Sequence, residues 1–271
     1  MTAIEFLHRL AAQNVRGESI FERGDWDVCC ILDGCRVDTF REFYPQAAAY
    51  RSRGSSSRNW IRRTFDDRDV SRVAYITANP FADELDADRF GYFHLEPVTD
   101  VGGIDTVAPA TLRDRAIAVW NRREALNIER VVVHYMQPHV PFRARPDWFR
   151  EWRGTDTWGS KAWRRVGDEV DRTEWFDAYR DNLAWVLAEG VEPLRDRVNA
   201  RVAVTADHGN AAGEWALWGH PKGVATPEVR TVPWLEFQAC QRVAVEPDVE
   251  LDTERLDAEQ RREQLKALGY A

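Results

Sequence analysis

The chain has 271 residues, a formal net charge of -8 and a composition that is 44% hydrophobic and 11% aromatic. That is enough apolar material for one large core, and no Pro-, Ser- or Gly-rich linker divides it, so a single domain over 1–271 is expected. The negative balance excludes nucleic-acid binding as the main task, because phosphate contacts need a basic face.

The stretch from Met1 to Asn14 carries Glu5, His8 and Arg9 among its apolar residues. It reads as part of an N-terminal helical segment, 1–24, and neither as a signal peptide nor as a membrane span. Cys29, Cys30, Cys35 and Cys240 show no metal-knuckle spacing and imply no disulfide framework, which fits a reducing cytoplasm. Lys161, Lys222 and Lys266 are the only lysines, so arginine supplies almost all positive charge. An acidic, lysine-poor chain suits a halophilic or GC-rich organism. Oligomeric state leaves no mark in the sequence.

Short apolar runs at Val28–Leu32, Val73–Ile76, Val131–Val133 and Val202–Thr205 read as buried parallel strands, with Val232–Phe237 a weaker fifth. Between them, Thr111–Leu126 and Asp177–Leu194 have helical period. Strands alternating with helices predict an α/β fold, a three-layer α/β/α sandwich around a mainly parallel sheet. The Trp-rich segment 143–173 has no clean period and reads as an excursion over the sheet edge or the site mouth. The tail, 251–271, reads as a surface helix that stops at Gly269.

Polar residues fall where such a sheet binds ligands, at the carboxyl ends of its strands. Asp33 follows the first run, Asn79 the second, His134 and His139 the third, and Asp207 and His208 the fourth. Each has a bland alternative. Asp33 could cap a helix. His134, more than His139, could be a satisfied structural histidine. Gly54-Ser55-Ser56-Ser57 could cap the amphipathic stretch that follows, or place a hydroxyl at a helix N-terminus, where amides and the macrodipole favour an anion. In Asp207-His208-Gly209, the glycine permits the sharp turn that lets adjacent side chains reach one ion. Oxygen plus imidazole suits Zn or Mn, with Mg or Ca as alternatives.

The order of these pieces resembles the alkaline phosphatase/sulfatase superfamily. Gln137-Pro138-His139-Val140-Pro141-Phe142 is similar to its Pro-His-x-Pro-aromatic segment, and Thr205–Gly209 to its Ser/Thr-x-Asp-His-Gly. Gly219-His220-Pro221-Lys222, Val229–Pro233 and Leu265–Tyr270 resemble further elements. The resemblance implies an alkaline phosphatase-like fold and one divalent metal held by Asp33, Asp207, His208 and Ser57. It makes Ser57 the nucleophile, with Ser56 as fallback. It assigns His139 and His220 to the substrate or its leaving group, and Arg36, Asn79, His134 and Lys222 to binding it. A second metal, built from His139 and His220, stays open. The formylglycine motif Cys-x-Pro-x-Arg of sulfatases is absent, and a plain hydroxyl suits phosphoryl transfer. The expected function is therefore hydrolysis or transfer of a small anionic phosphate ester. A sulfatase acting on sulfated glycans, or a non-catalytic anion- or partner-binding protein, are the alternatives.

Overall fold

The computed structural model describes residues 16–152 and 159–251, and beyond them residues 259, 262, 263 and 266, which are helical. The expected helix over 1–24 lies mostly outside the described residues. Its end, from residue 16, holds only a short 3-10 turn, Ile20–Glu22, closed by a Ser19 capping box.

Eleven strands are described: β1 (Val28–Asp33), β2 (Ala48–Arg51), β3 (Val73–Thr77), β4 (Tyr92–Leu95), β5 (Thr99–Val101), β6 (Ile104–Thr106), β7 (Arg130–Pro138), β8 (Ala200–Ala206), β9 (Ala211–Ala212), β10 (Trp218–Gly219) and β11 (Thr231–Ala239). Seven form one sheet in the order β2-β11-β8-β1-β7-β3-β4. The neighbours from β8 to β4 pair in parallel. β1 is buried at every position because it lies centrally with both faces covered, so its apolar residues need not alternate. The weaker strand candidate is real but runs the other way: β11 is antiparallel to both β8 and β2.

The helices are α1 (Val37–Phe43), α2 (Ser57–Phe65), α3 (Pro109–Asn121), α4 (Pro146–Trp152), α5 (Arg172–Val186), α6 (Glu192–Arg197) and α7 (Pro227–Arg230). They surround the sheet in a mixed α/β architecture, as expected. α3 ends five residues before the predicted Leu126, and the chain then turns through Asn127 at φ 55°. The helix predicted over Asp177–Leu194 starts earlier, because Asp171 caps the amides of Thr173 and Glu174. It is also interrupted by a π turn, Leu187–Val191. Pro193 has no N–H to offer Glu189, and Arg113 Nη1 donates to the Glu189 carbonyl at 2.7 Å instead.

The described part of 143–173 is packed. Trp148, Phe149, Trp163, Val166 and Val170 form a second apolar cluster with Phe142, Trp175 and Tyr179. These tryptophans are therefore core, and the cluster supports the site: Tyr179 Oη reaches out of it to donate to the Gly34 carbonyl at 2.7 Å.

Candidate metal centre and active site

Leu32 pairs with Ala206 across β1 and β8, so the residues that follow, Asp33 and Asp207, leave the sheet side by side. Both are completely buried, as is His208. The Asp207 carboxylate is fixed through Oδ1, which accepts from Gly34 N at 2.9 Å and His208 N at 2.8 Å. Its main-chain carbonyl accepts a short hydrogen bond from Ser52 Oγ. α2 brings its first residue, Ser57, to the same point. Ser57 Oγ lies 3.3 and 3.4 Å from the two Asp33 oxygens and 3.2 Å from His208 Nε2. His208 Nε2 lies 3.3 Å from Asp207 Oδ2 and 3.7 Å from Asp33 Oδ1. Metal-bound donors in a tetrahedral site lie about 3.4 Å apart, so the Ser57, Asp33, Asp207 and His208 spacings recorded here are within reach of one cation.

The electrostatics call for a cation. Burial, and next the charge of Asp207, pushes Asp33 well above the usual carboxylate range. Burial also works against the charge of Asp207, but His208, His134 and the Gly34 amide hold it below that range. His208 Nδ1 faces the Gly209 carbonyl at 2.9 Å, and a carbonyl only accepts, so the proton is on Nδ1 and Nε2 presents a lone pair. Two buried carboxylates and a bare imidazole nitrogen fit a divalent metal and are costly without one.

His134 stands beside this set. It pairs with Ile31 and Thr77 in the sheet, and its Nδ1 lies 2.9 Å from Tyr75 Oη. Its Nε2 is 3.7 Å from Asp207 Oδ2, and neither atom has a hydrogen-bond partner among the described residues. Ligand atoms of Asp33, His134 and Asp207 all lie within 4.8 Å of one another. The structure thus puts His134 among potential ligands rather than at a distance suited to substrate alone.

His139 and His220 form the next layer. The His220 ring lies 4.2 Å from that of His208 and 5.2 Å from that of His139. His139 Nδ1 donates to the Val140 carbonyl at 2.8 Å, and His220 Nδ1 contacts Asn210 Oδ1 at 3.0 Å. Burial pulls His139 down to about 4. Burial, then the charges of His208 and His139, takes His220 well below its ordinary value. Both rings are neutral near pH 7.

Other sequence candidates sit differently. Asn79 Nδ2 donates to Asp33 Oδ2 at 2.8 Å while its Oδ1 caps Phe81 N, so it orients the carboxylate. The Arg36 guanidinium is engaged by Asp38, Glu214 and the Asn210 carbonyl. Lys222 is exposed on the turn after His220. Ser56 is the N-cap of α2, half-buried, and makes no capping bond with its side chain. The Cys35 thiol is buried, contacts the Arg36 carbonyl at 3.7 Å, and is pushed up by burial, which does not make a nucleophile. Sequence reasoning missed Tyr75, Tyr179 and Asn210. Only Asn210 left a signal, as the residue directly after Asp207-His208-Gly209.

No known protein-family model matches the chain, and no curated protein matches it. Solved structures do. One is the C-terminal periplasmic domain of phosphoethanolamine transferase EptC from Campylobacter jejuni, at 14% identity over 81% of this chain and 82% of that one, TM-score 0.47. Another is the corresponding periplasmic domain of EcEptC from Escherichia coli in complex with Zn, at 11% identity over 81% and 75%, TM-score 0.47. A third is the soluble domain of lipooligosaccharide phosphoethanolamine transferase A from Neisseria meningitidis, at 13% identity over 82% and 80%, TM-score 0.43. This chain is similar to them in fold. They also correct the expectation of a cytoplasmic location: the first two are periplasmic domains, and a scarcity of disulfides does not fix a compartment. Among the described residues, no helix is long and apolar enough to cross a membrane.

Proposed function

We propose that the protein is a metal-dependent enzyme of phosphate esters, transferring or hydrolysing the phosphoryl group with Ser57 Oγ as nucleophile. The observation that carries this reading is the placement of Ser57 Oγ within 3.4 Å of both Asp33 oxygens and 3.2 Å from His208 Nε2, at the start of a helix. A divalent cation held by Asp33, Ser57, Asp207 and His208, with His134 adjacent, would acidify the hydroxyl and withdraw charge from the phosphoryl oxygens; this donor set favours Zn or Mn. Asn79 and the Gly34 amide hold the two carboxylates in place. The Ser57 hydroxyl faces the Asp33 carboxylate, which is placed to receive its proton. The first intrahelical bond of α2 runs from Trp60 N to the Ser56 carbonyl, so the amides before it are available to phosphoryl oxygens. His139 and His220 are neutral near pH 7 and place Nδ1 against a carbonyl and an amide oxygen, so their Nε2 atoms can accept a proton. They suit the step in which water releases the phosphoryl group better than donation to a leaving group.

Turnover of aryl phosphates with Zn or Mn added tests the reading. Ser57→Ala and Asp207→Ala should each abolish it, and acid quenching should leave a phosphoryl adduct on the Ser57 peptide. Wild-type-like rates in Ser57→Ala would refute the assignment. Faster turnover of aryl sulfate than aryl phosphate would favour the sulfatase reading.

A further inference from the structure

Asn210 lies just beyond the metal-binding dipeptide, and its amide has both ends committed. Nδ2 donates to the Gly34 carbonyl at 2.7 Å, which fixes which end is which. Oδ1 then faces His220 Nδ1 at 3.0 Å. An amide oxygen only accepts, so His220 must carry its proton on Nδ1 and turn a bare Nε2 away from Asn210. The side chain is completely buried, so water does not compete for either contact. Its main chain is held separately, through Arg36 Nη1 donating to the Asn210 carbonyl at 2.8 Å.

We propose that Asn210 is a positioning residue that selects the tautomer and ring orientation of His220. The inference rests on the reading of His220 as part of the active site. Asn210 touches no reacting atom; it acts by offering His220 a single hydrogen-bonding solution. The same amide ties His220 to the Gly34 peptide, whose N–H holds Asp207. The His220 layer and the carboxylate layer are therefore joined through one side chain. Because Arg36 grips the backbone, truncating the side chain leaves the loop attached.

Two measurements test this. In histidine-labelled protein, nitrogen NMR with His220→Gln as the assignment control should show His220 protonated at Nδ1, and Asn210→Ala should abolish that preference. Independently, Asn210→Ala should lower aryl phosphate turnover about 10- to 100-fold, the usual cost of losing a partner that orients a site histidine. In a His220→Ala background the same substitution should change turnover less than threefold, since a residue acting through His220 has nothing left to act on. An Nε2-protonated His220 in the wild type, or the same fold loss in both backgrounds, overturns the proposal. Wild-type turnover by Ser57→Ala would instead sink the phosphoryl-transfer reading, while the tautomer measurement would still decide the role of Asn210.

Discussion

Ser57 Oγ and His208 Nε2 stand 3.2 Å apart although 151 positions separate them in the chain. Both are buried; Ser57 Oγ faces the Asp33 oxygens and His208 Nε2 an oxygen of each aspartate, an arrangement that favours a cation in the folded state only. Metal removal should therefore cost stability. Chelation should lower the melting temperature, and Zn or Mn should restore it. At a metal concentration 100-fold above Kd the gain is about 2.7 kcal/mol, or roughly 5–10 °C for a domain of this size. Calorimetry with and without chelator reads this directly. An Asp207→Ala variant should show no metal-dependent shift.

Asp33 behaves oppositely in the metal-free protein. Its folded-state carboxyl is raised by burial and by Asp207, so the folded state holds its proton more tightly than the unfolded one. The associated stability is present below the unfolded value and lost as pH rises through the folded value. At neutral pH, Asp33→Asn should then raise the melting temperature of chelated protein, since each tenfold change in acidity is worth about 1.4 kcal/mol. The same variant should bind Zn or Mn more weakly. Stabilisation with chelator and loss of the metal response must occur together; either without the other contradicts the account.

The strand-end residues were legible because central parallel strands are apolar throughout. The first polar residue after each of Val28–Leu32 and Val202–Thr205 had to fall at the carboxyl edge, and Asp33 and Asp207 do. β2 and β4 were not legible. The former is a short, largely exposed edge strand of Ala48-Ala49-Tyr50-Arg51, and the latter reads Tyr-Phe-His-Leu, with no alternation to mark it. Arg36 read as an anion ligand because nothing local shows that Glu214 folds back to it at 3.1 Å. His134, expected as a substrate contact or a structural histidine, is carried to the aspartates by its register with Ile31 and Thr77. Long-range pairing decides such roles, and periodicity does not encode it.

His139 gives a pH dependence of defined sign. Burial lowers it from 6.5 to about 4, so the folded state holds fewer protons there than the unfolded chain. Stability from this group is complete above 6.5 and is lost as pH falls toward 4, by about 3 kcal/mol in total. His208 and His220 are lowered too, and contribute in the same direction. Denaturant titrations of metal-free protein at a series of pH values should show stability falling across this window. His139→Gln should flatten the slope by its share. An unchanged slope would show that His139 takes up its proton as readily in the folded state as in the unfolded chain.

Gly34 links the two layers through its backbone and should tolerate no side chain. It adopts φ +64°, a conformation that costs an L-residue about 1–2 kcal/mol. A Cβ there would also meet Asn210 Nδ2 at 2.6 Å, with His139 Cδ2 and His208 Cε1 at 3.4 and 3.5 Å. The Asn210 amide is bonded at both ends, so it can yield only by releasing His220 or the Gly34 carbonyl. Gly34→Ala should lower the melting temperature by several degrees and reduce aryl phosphate turnover more than stability alone explains, because the displaced groups are the ones that orient the site. A Gly24→Ala control separates the two effects. Gly24 also has positive φ, +67°, but its Cβ would meet the Glu236 side chain. It should share the loss of stability and keep the activity.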